Sequence, residues 1–248
     1  CPAEVFGTLE CVQAALCMVS ATVQPDGRRV AGAYDRGSRA LSEVARAAGT
    51  RIMTYGLSAD ADVRLAELGV QGLRSRAELH VGPVVVRLDV GVPGRHNLLN
   101  ATAAFVAATE GLGQEPASVL EGLAGFTGTR RRFESKGEAS GVRFVDDYAH
   151  NPGKVTAVVE TALSLAAPGR LIVVFQPHLY SRTRDFAAEL ATALAPADVV
   201  IVMNVYGARE DPMPGVSGAL IADRLVRARG GGPARDDVRF VPSWSEVA

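Results

Sequence analysis

The sequence predicts an α/β fold in two parts, a mixed unit with an antiparallel patch followed by a Rossmann-like, doubly wound C-terminal domain. Three observations predict it. Short continuous apolar runs, Leu171 to Phe175 and Val199 to Met203, have the length of strands covered on both faces. Longer stretches between them place apolar residues at helical spacing, as in Phe186, Leu190 and Leu194. Between Val63 and Val90, strand-like segments instead follow one another directly through short Gly-containing turns.

The composition allows such a fold and excludes several functions. At 248 residues and 48% hydrophobic content the chain can bury sizeable cores. A formal net charge of −1 gives no global field to attract nucleic acid or an anionic membrane, although Arg far outnumbers Lys, which occurs only as Lys136 and Lys154. Cys1, Cys11 and Cys17 crowd the start without a CxxC pair, so neither a zinc site nor a disulfide framework is expected and a reducing, cytoplasmic location fits. No apolar run reaches the roughly 18 residues that span a bilayer, and Glu4 and Glu10 interrupt the region where a signal peptide would be apolar.

Taken in order, Leu9, Val12, Leu16 and Val19 predict a helix. Strands at Arg28 to Tyr34 and Arg51 to Gly56 flank a helix over 38–48, an α/β unit without its beginning. Three successive strands follow between 63 and 90, with His80 a strand residue, then helices over about 97–112 and 115–124. From Val142 the rhythm is strand, helix, strand, helix: RFVDDYA, a helix from Pro152, LIVVFQP, a helix capped by Ser181, VVIVMNVY, a helix from Val216, and VRFVP. The polar stretch Glu134 to Gly141 carries the boundary, giving domains 1–136 and 137–248. The terminal SWSEVA predicts the opening of a further helix.

Several polar segments stand at the ends of these elements. His96, Asn97 and Asn100 open a helix, with the two amides on one face and able to read a base; the alternative is that Asn97 is a cap and His96 a loop residue. Arg130, Arg131 and Arg132 precede a strand, where alternation sends Arg130 and Arg132 to one side; guanidinium groups suit phosphate, and a solvated face is the alternative. Asp146, Asp147, Tyr148 and His150 end the first strand of the parallel unit, with Asn151 and Pro152 as cap and first helical residue. A carboxylate there can accept a ribose hydroxyl, and His150 can donate to a ligand oxygen; capping with surface charge is the alternative. His178, Tyr180 and Arg182 end the next strand, and Asn204 to Glu210 the third, which implies one shared crevice at the carboxyl ends of the sheet. A P-loop is lacking: Gly153-Lys154 is followed by Val155, and Tyr148 stands where the first Gly belongs.

In their order and spacing these segments resemble the Mur ligases, through GRHNLLN (94–100), RRFE (131–134), DDYAHNP (146–152), FQPHLYSRT (175–183) and VYGARE (205–210). The likeness covers about 90 to 248, with the earlier residues matching through FGTLE and the strand, helix, strand order. It implies that residues 1–136 are the C-terminal part of an incomplete central ATPase-type α/β domain, and that 137–248 belong to the Rossmann-like ligase domain. It further implies an ATP-dependent ligase of peptidoglycan precursor synthesis, joining L-alanine to UDP-N-acetylmuramate through an acyl phosphate, with Mg²⁺ held by residues mostly outside this chain. Under that resemblance His96, Asn97 and Asn100 face adenine, Arg132 the terminal phosphate and Asp147 the ribose. Tyr148, His150, His178 and Arg182 line the amino-acid site, with Arg132, His178 and Arg182 the catalytic candidates. Asn151 and Leu179 depart from the family pattern, where a second histidine or a threonine, and an arginine or a threonine, are common. Without the missing N-terminal and P-loop segments this chain alone is expected to be inactive. The competing readings are a non-catalytic nucleotide-binding or scaffolding module and the related ligase that recycles whole peptides.

Overall fold

In the computed structural model residues 8–22, 27–230 and 237–246 are described. They fall into two compact units, Cys1–Gly128 and Thr129–Ala248.

The first unit is built on a five-stranded sheet ordered β1-β2-β3-β4-β5, from β1 (Arg28–Gly32), β2 (Arg51–Gly56), β3 (Val63–Gln71), β4 (Arg74–Val81) and β5 (Val84–Val90). The first three strands run parallel and the last three antiparallel, so the expected patch is an extension of one sheet. Period-two burial explains it: Ser75, Ala77 and Leu79 of β4 point inward while Arg74 and Arg76 point outward. Helix α1 (Leu9–Ala21) is capped by Thr8, whose hydroxyl accepts the Cys11 N–H, yet Leu16 and Val19 of its apolar stripe are exposed. Helix α2 (Arg36–Ala47) is capped by Asp35 and lies in the crossover between β1 and β2. Helix α3 (Arg95–Val106) packs Leu98, Ala101, Phe105 and Val106 against Leu65, Leu79, Leu88 and Val90. Burial of each such side chain is worth about 1.5–3 kcal/mol. The predicted helix over 97–112 is thus α3 continued by a π-helical segment, Ala107–Gly111, and α4 (Pro116–Gly125) follows.

In the second unit β6 (Glu134–Ala139) and β7 (Val142–Asp146) form an antiparallel hairpin. The expected boundary after residue 136 falls inside β6, whereas the two units part between Gly128 and Thr129. β7 was expected to open the parallel sheet, but among the described residues it bonds only to β6, because the polar stretch at 134–141 is itself strand and turn. The parallel sheet proper is ordered β10-β9-β8, from β8 (Ile172–Phe175), β9 (Val199–Val202) and β10 (Val238–Phe240). Helix α5 (Pro152–Ala166) precedes it, capped by Asn151, whose Oδ1 accepts the Lys154 N–H at 3.0 Å. Helices α6 (Tyr180–Leu194) and α7 (Ala219–Ala228) are its crossovers. Strand order advances in one direction, so right-handed crossovers put both helices on the same face. The core bears this out, with Val155, Leu190, Leu194, Ile221 and Leu225 packed on Phe175, Val200, Val202 and Val238. On the other face Ile172 and Val174 remain exposed.

Three predicted helix details differ. The last crossover helix starts at Ala219, not Val216. Ser181 lies inside the first turn of α6, the cap position being Leu179. The terminal segment forms a short 3₁₀ turn, Trp244–Glu246, and Val247 and Ala248 lie outside the described residues, as do Cys1, Glu4 and the Phe6-Gly7 part of FGTLE. Cys11 and Cys17 are free thiols, and no helix among the described residues is long and apolar enough to cross a membrane.

Candidate active site

In the first unit the predicted residues cluster at the start of α3. Gly94, at φ 105°, occupies the cap position and accepts the N–H groups of Asn97 and Leu98 through its carbonyl. Asn97 is therefore not the cap; it lies one turn inside, and its Nδ2 donates to the Pro93 carbonyl at 2.7 Å. That bond fixes the amide and holds the loop to the helix. Asn100, three residues on and so on the same side of α3, is exposed, with no protein partner for its side chain among the described residues. His96 sits between solvent and the helix start, half-buried.

In the second unit the strand-end loops converge. The arginine run is a turn, not strand: Arg131 and Phe133 have φ 58° and 48°, so the alternation expected for Arg130 to Arg132 does not apply. Left-handed backbone costs an L-residue roughly 1–2 kcal/mol and needs outside support. Asp147 supplies much of it: its Oδ2 accepts the Phe133 N–H at 2.7 Å and its Oδ1 accepts the Ala149 N–H at 2.7 Å. Glu134 accepts the Arg131 N–H, and the Arg131 carbonyl accepts the Tyr148 N–H. Held this way, the Arg131 guanidinium lies 4.4 Å from the centre of the Tyr148 ring, a cation–π contact. Arg132 is left exposed, with no protein partner for its guanidinium among the described residues. Asp147 keeps lone pairs beyond its two amide bonds, which suits a ligand hydroxyl.

Tyr148 also begins a run of rings. Its centre lies 4.9 Å from His150 and 6.3 Å from His178; His150 and His178 are 5.8 Å apart, and His178 is 5.7 Å from Tyr206. Arg182, 8% exposed, approaches His178 with Nη1 at 3.3 Å from Nδ1. A guanidinium only donates, so His178 Nδ1 accepts and its Nε2 carries the proton. His150 is the reverse case. Its Nδ1 lies 2.7 Å from the Tyr148 carbonyl, which only accepts, so Nδ1 carries the proton and Nε2 a lone pair. His150 was expected to donate to a ligand oxygen; its free nitrogen is an acceptor.

Both imidazoles are held below their usual range. Burial acts first in each; Arg182 and then His150 add to it at His178, and Lys154 and Arg182 at His150. The two rings are thus neutral near pH 7 and present one N–H and one lone pair.

The predicted residues thus gather as two sets, His96, Asn97 and Asn100 in one and Asp147, Tyr148, His150, His178 and Arg182 in the other, with Arg132 next in sequence to Phe133, whose N–H Asp147 accepts. Sequence reasoning marked the segments that hold Arg131, Glu134, Tyr206 and Glu210 but gave Glu134, Tyr206 and Glu210 no role of their own and Arg131 none beyond the arginine run's suitability for phosphate. Tyr206 and Glu210 stood in a segment already marked as a strand ending, so their signal was position, not residue type.

Comparison with known proteins decides the family. Residues 3–108 match the Mur ligase middle domain and residues 131–248 the Mur ligase, glutamate ligase domain. The chain belongs to the Mur ligase family. Mur ligases are ATP-dependent. A Mur ligase from Kineococcus radiotolerans, named UDP-N-acetylmuramate--L-alanine ligase, is 53% identical over 98% of this chain and 50% of its own length. A relative of the same name from Arthrobacter sp. is 46% identical over 96% of this chain and 50% of its own length. The crystal structure of the UDP-N-acetylmuramate-alanine ligase from Thermotoga maritima superposes with a TM-score of 0.72 at 27% identity, over 97% of this chain and 48% of that one. The chain spans about half the length of the curated relatives it matches.

Proposed function

We propose that this chain is half of a Mur ligase that joins L-alanine to UDP-N-acetylmuramate at the expense of ATP, its first unit being the C-terminal part of the central ATP-binding domain and its second the ligase domain. The muramate carboxylate attacks the γ-phosphorus, ADP leaves, the amine of L-alanine attacks the acyl phosphate carbon, and phosphate departs as the amide nitrogen loses a proton. His96, Asn97 and Asn100 are assigned to adenine, and Asp147 to a ribose hydroxyl. Arg132, whose guanidinium has no protein partner among the described residues, is assigned to the terminal phosphate, where charge accumulates during transfer.

The observation that carries this reading is the complementary pair of neutral imidazoles beside a buried guanidinium. A free amino acid brings an ammonium and a carboxylate. The Nε2 lone pair of His150 suits the ammonium and can take the proton it must lose before attack; the His178 Nε2–H and Arg182 suit the carboxylate. Tyr148 supplies an apolar wall that Arg131 braces. Among the described residues no group of three or more His, Cys, Asp or Glu side chains is arranged to hold a metal ion; the Mg²⁺ that the family resemblance implies would, when bound, neutralise phosphoryl charge.

The test uses the ligase at the full length of its relatives, supplied with ATP, UDP-N-acetylmuramate and one amine at a time. L-Alanine is expected to drive phosphate release. Release with a muramyl tripeptide and none with L-alanine would move the assignment to the peptide-recycling ligase, and no release with either would leave a nucleotide-binding module.

A further inference from the structure

We infer that Glu210 is a positioning residue: its carboxylate clips the loop after β9 to the first turn of α6 and so holds His178 and Arg182 in register for the α-amino acid. The inference rests on the reading of the second unit as the amino-acid site.

The need for a clip arises at Leu179. It occupies the cap position of α6 with φ 71° and ψ 135°, a left-handed conformation unusual for a leucine, and its side chain has no acceptor for the N–H groups of the first turn. Glu210 provides the acceptor from a different segment. Its Oε2 accepts the Ser181 N–H at 2.9 Å and its Oε1 accepts the Ser181 hydroxyl at 2.5 Å. A carboxylate at a helix N-terminus is favoured by charge as well as by hydrogen bonding. Its pKa agrees: burial pushes it up, but the Ser181 hydroxyl and N–H outweigh this and hold the group below the usual carboxylate range.

The two segments are also joined along the backbone. The Leu179 N–H donates to the Tyr206 carbonyl at 2.9 Å, and the Tyr206 N–H to the Pro177 carbonyl at 2.8 Å, so His178 pairs in parallel with Tyr206. Between Tyr206 and Glu210 the approach is tight enough to demand glycine: a Cβ on Gly207 would lie 2.8 Å from the Glu210 carbonyl oxygen and 2.8 Å from the Tyr180 ring. His178 and Arg182 flank Leu179 and Ser181 on either side. Releasing the clip therefore frees both binding groups at once while leaving the body of α6 on its core.

Two measurements test this. In the chain itself, Glu210→Ala is expected to speed amide exchange at Leu179 and Ser181 at least tenfold, with Leu190 and Leu194 unchanged; unchanged exchange at Ser181 overturns the clip whatever the reaction is. In the ligase at its relatives' length, Glu210→Ala is expected to raise KM for L-alanine about tenfold with KM for ATP within twofold, and Glu210→Gln, which keeps one accepting oxygen, to recover part of it. On a His178→Ala background the same change is expected to add less than twofold. Equal rises in both KM values, or full additivity with His178→Ala, would make Glu210 merely structural and overturn the inference. Wild-type protein that ignores L-alanine, with exchange at Ser181 still dependent on Glu210, would sink the functional reading and the substrate half of this inference together while the clip itself stood.

Discussion

Asp147 holds Phe133 by its backbone, with carboxylate to N–H at 2.7 Å, and through that bond supports a turn in which Arg131 and Phe133 both adopt left-handed conformations. A hydrogen bond to a charged group contributes about 1.5–3 kcal/mol. Asp147→Ala removes two of them and is expected to lower the stability of the chain by about 2–4 kcal/mol after solvent takes up part of the loss. Asp147→Asn keeps one accepting oxygen and should fall between. Urea unfolding midpoints measure both, and an Asp147→Ala midpoint equal to wild type would show that the turn stands without its carboxylate.

Asn97 and Asn100 share a side of α3 but differ in what they hold. Asn97 donates to Pro93 and Asn100 bonds to nothing in the chain among the described residues. Asn97→Ala is expected to cost about 1 kcal/mol of stability, and Asn100→Ala less than about 0.5 kcal/mol. Both should weaken ATP binding in the ligase at its relatives' length, as titration calorimetry would record. Equal stability losses would contradict the difference in their contacts.

His150 and His178 make stability depend on pH. Their folded pKa values lie below the ordinary value of about 6.5, so between that value and the folded ones the unfolded chain binds protons that the folded chain refuses. Stability is therefore at its full value above about pH 7.5 and falls as pH drops through about 6.5 toward the folded pKa values. The groups facing His178 are Arg182, His150 and Arg209, which oppose its charge, and Glu210, which favours it. His178→Gln should flatten the slope of the unfolding midpoint between about pH 7.5 and 5.5, and an unaltered slope would rule His178 out as a source.

In the ligase at its relatives' length, and on the proposed reaction, Arg182→Ala is expected to lower L-alanine-dependent phosphate release ten- to a hundredfold, the loss of one or two charge-assisted hydrogen bonds, while ATP binding changes little. Steady-state rates at saturating ATP check the first half and calorimetry the second. Arg182→Lys, which keeps charge without the planar fork, should recover only part. Turnover unchanged in Arg182→Ala would remove this residue from the site.

The sequence made the elements legible wherever period and burial agree, as in β4 and α6, and it marked every strand ending that carries a site residue. Errors arose where a local signal was overruled from elsewhere in the chain. Ser181 looks like a helix cap, but Glu210 already takes its N–H and hydroxyl, and the cap falls on an unlikely leucine. Arg130 to Arg132 look like the start of a strand, but Asp147 and Glu134 bend them into a turn. The two tautomers were out of reach as well, because each is set by a partner whose identity only the folded backbone reveals.

The π-helical segment Ala107–Gly111 has a consequence for how this fold tolerates change. An α-helix turns about 100° per residue, so a wider turn absorbs one extra residue and rotates everything beyond it by about that much. Here the rotated end brings Glu110 to Arg28 of β1, while Asn97 and Asn100 lie upstream and keep their facing. A one-residue deletion there is expected to remove the Arg28–Glu110 contact, worth no more than about 1 kcal/mol at the surface, and to leave the same two amides in place.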